Sequence, residues 1–144
     1  MVDSVYFCWV VALKSEALPL CKKFKMTLVN HEAPYPVFRD LEGYHWLVIS
    51  GVSKVQAAAA SMYLHQVSKA NQWTAWINIG IAGQKESRFG KLYLIDKITE
   101  KSTGKVWYPG TVLSTSTSRG SLVTVDKPET DFKKGDLIEC YNLL

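Results

Sequence analysis

The sequence predicts an α/β fold with three layers, in which a mixed, mostly parallel central sheet carries helices on both faces. Several apolar runs are rich in β-branched and aromatic residues without strict alternation, as expected of strands that are buried on both faces. Two of these runs lead through short loops into segments whose apolar residues recur at helical spacing. With 144 residues the chain has the size of one domain, and we expect residues 1–144 to form it.

The first strand-to-helix unit occupies the amino-terminal part of the sequence. Val5–Ala12 is β-branched and aromatic throughout, which predicts a buried strand. An apolar stripe at helical spacing follows between Ala17 and Phe24. Pro19 is tolerable if it lies in the first turn of this helix, and we expect it there.

The second unit begins with a hairpin. Val37–Leu41 and Tyr44–Ser50 flank the pair Glu42-Gly43, which is a favourable turn sequence between two strands. Lys54–Val67 is rich in alanine and is therefore predicted to be helical. Its small side chains allow this helix to lie close against a sheet.

The remaining part of the chain is predicted to add further strands. They are Thr74–Ile79, Lys91–Ile98, Lys105–Tyr108 with Thr111–Leu113 around Pro109-Gly110, and Ser121–Val125. Thr74–Ile79 is expected to be a third buried strand, and Ser121–Val125 the last apolar strand. The polar stretch between residues 126 and 136 is predicted to be a loop.

Composition argues against several classes of function. The net charge is +4, but the lysines are scattered and no basic run alternates with aromatics, so we expect no nucleic-acid partner. The apolar run Val5–Leu13 is too short to cross a bilayer and follows no basic residue, which predicts a cytoplasmic protein without membrane contact. The three cysteines have no CxxC spacing, so we expect free thiols, no metal site and no organic cofactor.

Three polar or glycine-containing segments follow predicted strands. They are Lys14–Glu16, Ser50–Lys54 and Asn78–Gly83. In open parallel sheets, ligands bind at the carboxyl ends of the strands. The candidate site is therefore expected at this edge of the sheet.

Each segment has a structural and a functional interpretation. Glu16 is either a carboxylate at the positive end of a helix or a general base at the mouth of a cleft, and its position alone favours the first. The turn at Ser50 and Gly51 can offer backbone amides to an anion, although tight turns also use glycine for conformational reasons. Asn78–Gly83 is more informative, because small residues after a buried strand let the backbone approach a flat ligand. It is neither GxGxxG nor a Walker loop.

Taken together, these segments resemble motifs of the purine nucleoside phosphorylase and nucleosidase superfamily, and are most similar to its methylthioadenosine/S-adenosylhomocysteine nucleosidase branch. The similar segments, in order, are Ala12–Ala17, Ser50–Ala58, Asn78–Gly83, Phe89–Leu92 with Asp96, and Ser121–Asp126. The second is similar to a Ser-Gly-hydrophobe-Gly-Lys motif and the third to Asn-x-Gly-x-Ala-Gly.

The resemblance implies cleavage of the N-glycosidic bond of a purine nucleoside. Glu16 would activate the attacking water. The residues that would bind substrate are Ser50, Gly51, Ile81, Ala82, Gly83 and Asp126. Phosphate is an alternative second ligand if the enzyme is a phosphorylase, but no arginine stands beside the second or third motif, and Arg39, Arg88 and Arg119 are expected in turns or loops. Water is therefore the favoured nucleophile.

The chain also departs from the superfamily pattern. Ser53 replaces the usual glycine of the second motif, and Lys14-Ser15 replace acids of the first. The later Met-Glu motif and the aspartate that acts as general acid have no counterpart before Leu144, with Glu139 as the nearest candidate remnant. We therefore expect a shortened version of the fold, with a non-catalytic binding or assembly module as the alternative. A shortened sheet leaves a strand edge uncovered, which favours self-association. Any exposed indole would add apolar surface, although most of the tryptophans are expected in the core. We therefore predict a homodimer, to which Trp46, Trp73, Trp76 and Trp107 would contribute.

Overall fold

A computed structural model describes residues 5–84, 90–110 and 115–126, together with the backbone of 137–140. The chain divides into two compact units, Met1–Gly80 and Ile81–Leu144. The prediction that residues 1–144 form one domain stays a prediction.

The first unit contains a five-stranded sheet and two helices. Its elements are β1 (Phe7–Val11), α1 (Lys14–Lys23), β2 (Thr27–Leu28), β3 (Val37–Arg39), β4 (His45–Ile49), α2 (Lys54–Ser68) and β5 (Ala75–Asn78). The strand order is β2-β3-β4-β1-β5. β1 pairs in parallel with both β4 and β5, whereas β3 is antiparallel to both of its neighbours, β2 and β4. The predicted hairpin, strands and helices of this region are thus confirmed.

The two helices of this unit belong to opposite faces of the sheet. Successive side chains of a strand point to opposite faces, so Cys8 and Val10 of β1 lie on one side and Val11 on the other. The first side packs against Leu64 of α2. The second packs against Ala17 of α1. Because both faces of β1 are covered in this way, the predicted three-layer α/β arrangement with a mixed sheet is confirmed here, with two of the four strand pairings parallel and two antiparallel.

Two details of the first unit differ from the sequence prediction. Pro19 lies five residues after Lys14, in the second turn of α1 rather than the first. It cannot donate a backbone hydrogen bond to the carbonyl of Ser15, but both residues are exposed, so water can satisfy that oxygen. The predicted third buried strand, β5, is mostly exposed, because it is an edge strand of this sheet in the described part of the chain.

The second unit is a four-stranded sheet. Its strands are β6 (Tyr93–Glu100), β7 (Val106–Trp107), β8 (Ser118–Val125) and β9 (Leu137–Cys140), in the order β7-β6-β8-β9. β8 pairs in parallel with β6 and β9, and β7 is antiparallel to β6. Ser121–Val125 was expected to contain the last strand, which is wrong, because β9 adds to the sheet beyond it. The predicted segment Thr111–Leu113 and most of the predicted loop, residues 127–136, lie outside the described residues.

The described cysteines are free thiols, as predicted for Cys8 and Cys21. Cys8 is fully buried and its sulfur lies 3.7 Å from Ser68 Oγ. Burial raises the pKa of the Cys8 thiol, and the contact with Ser68 opposes that shift. Because a nucleophilic cysteine needs an accessible thiolate, Cys8 is a packing residue. Within the described ranges, no helix is long and apolar enough to cross a membrane.

Candidate functional site

The carboxyl ends of β4, β1 and β5 lie at one edge of the first unit's sheet, because these strands are parallel. Backbone hydrogen bonds continue the pairing beyond the strands. The amide of Ser50 donates to the Val11 carbonyl at 2.8 Å, and the amide of Gly51 donates to the Ala12 carbonyl at 3.1 Å. On the other side of β1, the amide of Ile79 donates to Val10 at 3.3 Å. These bonds hold the segments after the three strands in register.

Glu16 is held at the start of α1 by a short local contact. Its Oε2 accepts a hydrogen bond from the backbone N–H of Leu13, with a distance of 3.0 Å between oxygen and nitrogen. Leu13 is the residue that caps the helix, and it has no side-chain acceptor of its own. The half-buried carboxylate therefore satisfies one of the backbone donors that a helix start leaves open, and the helix dipole favours its negative charge. The contact also fixes the orientation of the carboxylate, which a general base requires.

Ser50 is integrated into the turn between β4 and α2. Only 4% of it is exposed, and its Oγ lies 2.8 Å from the carbonyl oxygen of Gly51 and 3.3 Å from that of Val11. The single hydroxyl hydrogen is committed to these backbone oxygens. The capacity that Ser50 Oγ has left is therefore that of an acceptor rather than a donor.

Two residues of the same turn have backbone angles that favour glycine. Gly51 has φ +77°, and a Cβ at this position would meet nothing within 4 Å, so the backbone angle alone requires glycine. Ser53 has φ +128°, which is strained for a residue with a side chain. This angle explains why glycine is usual at this place in the motif that the sequence resembles. Ser53 Oγ accepts the amide of Gln56 at 3.2 Å and thereby caps α2.

The remaining candidate residues belong to the second unit. Ile81, Ala82 and Gly83 form its first three residues, directly after Gly80, and 69% of Ile81 is exposed. Asp126 follows the carboxyl end of β8 and is exposed. Glu16, Ser50 and Gly51 thus share the sheet edge of the first unit, and the other four belong to the second. The roles assigned to all seven stay predictions.

Sequence reasoning missed one contact beside these residues. Tyr93, the first residue of β6, donates its hydroxyl hydrogen to Oε1 of Gln84 at 3.1 Å. Gln84 follows Gly83 directly. No periodic pattern marks a tyrosine and a glutamine nine positions apart, so the sequence offered no signal for this pair.

The histidines do not join the candidate edge. His45 is stacked on Phe7 and Phe24, with ring centroids 4.9 and 4.1 Å away, and its Nδ1 accepts from Trp9 Nε1 at 3.3 Å. It is the first residue of β4, at the end of the strand opposite Ser50. His31 and His65 are exposed. Among the described side chains, no three His, Cys, Asp or Glu residues are grouped so that they could hold a metal ion.

Solved structures share the fold of this chain. The apo 5′-methylthioadenosine nucleosidase of Arabidopsis thaliana superposes with a TM-score of 0.71 at 19% identity, over 88% of this chain and 66% of that chain. The 5′-methylthioadenosine/S-adenosylhomocysteine nucleosidase of Neisseria meningitidis, in complex with methylthio-immucillin-A, gives 0.62 at 17%, over 85% and 65%. A futalosine hydrolase mutant of Helicobacter pylori gives 0.69 at 11%, over 94% and 78%.

The chain shares the α/β fold of these solved structures. This confirms the α/β fold that the sequence motifs implied, and at these identities the likeness is one of fold. The chain spans 66% and 65% of the length of the two methylthioadenosine nucleosidases. No protein-family model matches the chain, and no curated protein matches it in sequence.

The strained angle at Ser53 yields a prediction about stability. Ser53→Ala removes the cap but keeps the strained φ, so we expect the free energy of unfolding to fall by about 0.5–2 kcal/mol. Ser53→Gly relieves the strain, while glycine as a cap costs only a few tenths of a kcal/mol, so the free energy should stay unchanged or rise by about 1 kcal/mol. Denaturant titration followed by circular dichroism measures both. Equal destabilisation by the two variants would contradict the assigned backbone strain.

Proposed function

We propose that this chain cleaves the N-glycosidic bond of a purine nucleoside by hydrolysis, as a nucleosidase of the methylthioadenosine/S-adenosylhomocysteine type. The observation that carries the proposal is the carboxylate of Glu16, held by the Leu13 amide beside the carboxyl ends of the parallel strands β4, β1 and β5, in a fold that the solved nucleosidase structures share. This edge is where open α/β sheets bind their ligands.

The proposed chemistry matches a carboxylate at this position. As the bond between C1′ and the purine nitrogen breaks, positive charge develops on the sugar and the electron pair leaves with the purine. Glu16 orients a water molecule and takes one of its protons while the water oxygen bonds to C1′. The leaving purine takes a proton from solvent water, because an unprotonated purine anion is a poor leaving group, and the hydroxide left behind is neutralised by the proton that Glu16 removed.

Substrate contacts are proposed for both units. In the first, the backbone at Gly51 offers room, since no atom beyond its two chain neighbours lies within 4 Å of the place a Cβ would take, and Ser50 Oγ can accept a hydrogen bond. In the second, Ile81–Gly83 would lie along the ribose and base, and Asp126 would contact the substrate through its carboxylate. A thio-substituted adenosine is the proposed substrate class, because the Neisseria relative is in complex with methylthio-immucillin-A.

Hydrolysis is preferred to phosphorolysis because of where the described arginines lie. Arg39 and Arg119 were expected in turns or loops, which is wrong, because they belong to β3 and β8. The guanidinium of Arg39 lies 5.6 Å from the centre of the Trp46 ring, on which it stacks. Arg88 lies outside the described residues. Phosphate remains the alternative second substrate, which its addition to the assay tests.

The second candidate is a nucleoside-binding or assembly module without catalysis. The cap that Glu16 forms on the Leu13 amide favours it, because that contact gives the carboxylate a structural role. The two candidates share nucleoside binding and differ in bond cleavage. For either candidate we propose a cytoplasmic location, which imaging of a fluorescently tagged chain in cells would test.

A substitution at Glu16 tests the proposed base. Glu16→Gln keeps an oxygen that can accept the Leu13 amide but removes the basic carboxylate. We expect release of the base from methylthioadenosine to fall by about 10²–10⁴-fold, the usual contribution of a general base. Glu32→Gln, which makes the same change at an exposed residue, should leave the rate unchanged. Chromatography of released adenine or hypoxanthine, with adenosine and inosine as further substrates, measures the rates.

The outcomes of this experiment separate the candidates. Release that needs Glu16 and is independent of phosphate supports the hydrolase, whereas strict dependence on phosphate supports a phosphorylase. Nucleoside binding without any release identifies the non-catalytic module. If Glu16→Gln cleaves as fast as the wild type, Glu16 is not the base.

We further propose that the chain self-associates as a homodimer. Trp46 is buried, but Trp73 and Trp76 of the first unit are 82% and 42% exposed, which is unusual for indoles on a monomer surface. Trp107 of the second unit is 48% exposed, so the expectation that most of these tryptophans lie in the core is wrong for three of the four. Sedimentation velocity from micromolar to millimolar concentration should therefore show a dimer that Trp73→Ser weakens. A strict monomer across this range would contradict the proposal.

A further inference from the structure

We propose that Tyr93 is a positioning residue for the segment Ile81–Gly83, which it anchors through the side chain of Gln84. The inference deepens the proposed function and rests on it, since that segment is proposed to contact the nucleoside. Tyr93 itself is not assigned a contact with substrate. All the residues involved belong to the second unit.

The contact joins a rigid strand to the end of the proposed binding segment. Tyr93 is the first residue of β6, where it pairs with Ser118 of β8. Its hydroxyl donates to Gln84 Oε1 at 3.1 Å, and both side chains are half-buried. Because Gln84 is the residue immediately after Gly83, fixing its side chain restrains the backbone of Gly83.

A second interaction orients the tyrosine ring. The ammonium nitrogen of Lys91 lies 4.8 Å from the centre of the Tyr93 ring, within the range of a cation–π contact. The ring has few rotatable bonds, so a strand on one side and a cation on its face leave it little freedom. The hydroxyl is therefore presented to Gln84 from a fixed position.

The side chains of the segment that Tyr93 anchors contribute little packing of their own. Ile81 is largely exposed, and Ala82 and Gly83 have small or absent side chains with little surface to bury. Ordering such a backbone when a ligand binds costs conformational entropy, most of all at glycine. An anchor that orders the segment before binding lowers this cost and so increases affinity.

Amide hydrogen exchange tests the anchor without any ligand. Tyr93→Phe removes the hydroxyl and keeps the ring, and we expect the amides of residues 82–84 to exchange about two- to tenfold faster, the effect of losing one neutral hydrogen bond. Tyr108→Phe is the matched control, because it makes the same change at an exposed tyrosine of the same unit. Unchanged exchange of residues 82–84 in Tyr93→Phe would overturn the proposal.

Nucleoside titration tests the consequence for binding. Calorimetry with methylthioadenosine should give a dissociation constant about two- to tenfold larger for Tyr93→Phe, with no further loss in the double variant Tyr93→Phe/Gln84→Leu. If base is released, KM should rise while kcat changes less. Additive losses, or equal affinity of Tyr93→Phe and wild type, would overturn the positioning role. A wild-type chain that binds no nucleoside contradicts the proposed function itself, and the exchange result still decides whether the anchor exists.

Discussion

The parallel pairing of β1 with its two neighbours is the constraint on which the first unit depends. β1 hydrogen-bonds β4 on one side and β5 on the other, and its two faces are buried under different helices. Slipping β1 by one residue would turn Cys8 and Val10 from the α2 side to the α1 side, which close packing does not tolerate. The register is therefore fixed, and with it the positions at which the strands end.

This register determines what can be placed at the carboxyl edge. The amides of Ser50 and Gly51 continue the backbone hydrogen bonds between β4 and β1 past the ends of the strands. The turn into α2 is therefore fixed beside Ala12. The helix that carries Glu16 begins two residues after Ala12, and the Glu16 carboxylate bonds the intervening amide of Leu13. A single carboxylate thus stabilises a helix start and is oriented by it. Structure and proposed chemistry need the same contact, which is why position alone could not separate the two interpretations of Glu16.

Sequence reasoning succeeded where the signal was local and repeated. The apolar run containing β1 and the alanine-rich α2 were recognised because burial on two faces and helix propensity leave a mark on many consecutive residues. Pro19 was misplaced because α1 begins at Lys14, and its cap is Leu13, without the Ser, Thr, Asp or Asn that usually marks a helix start. The four residues of β9 were missed because a run this short, interrupted by Glu139, gives little strand signal.

The candidate site was likewise predictable where it depends on the strands, and not where it depends on single contacts. The strand ends that carry Glu16, Ser50 and Gly51 could be located, because parallel strands impose a common edge. The bond between Tyr93 and Gln84 could not, since one side-chain pair leaves no pattern along the chain. The fold is shared with solved structures at 11–19% identity, as expected where patterns of burial rather than particular residues specify a fold.

The central claim is that a purine nucleoside binds at the carboxyl ends of β1 and β4, beside Glu16 and the turn that contains Ser50 and Gly51. Titration of the isotope-labelled chain with methylthioadenosine, followed by amide chemical shifts in NMR spectra, tests it most directly. We expect saturable shifts concentrated at Ala12–Glu16 and Ser50–Ser53. Shifts confined to other surfaces, or no saturable shift up to millimolar nucleoside, would contradict it.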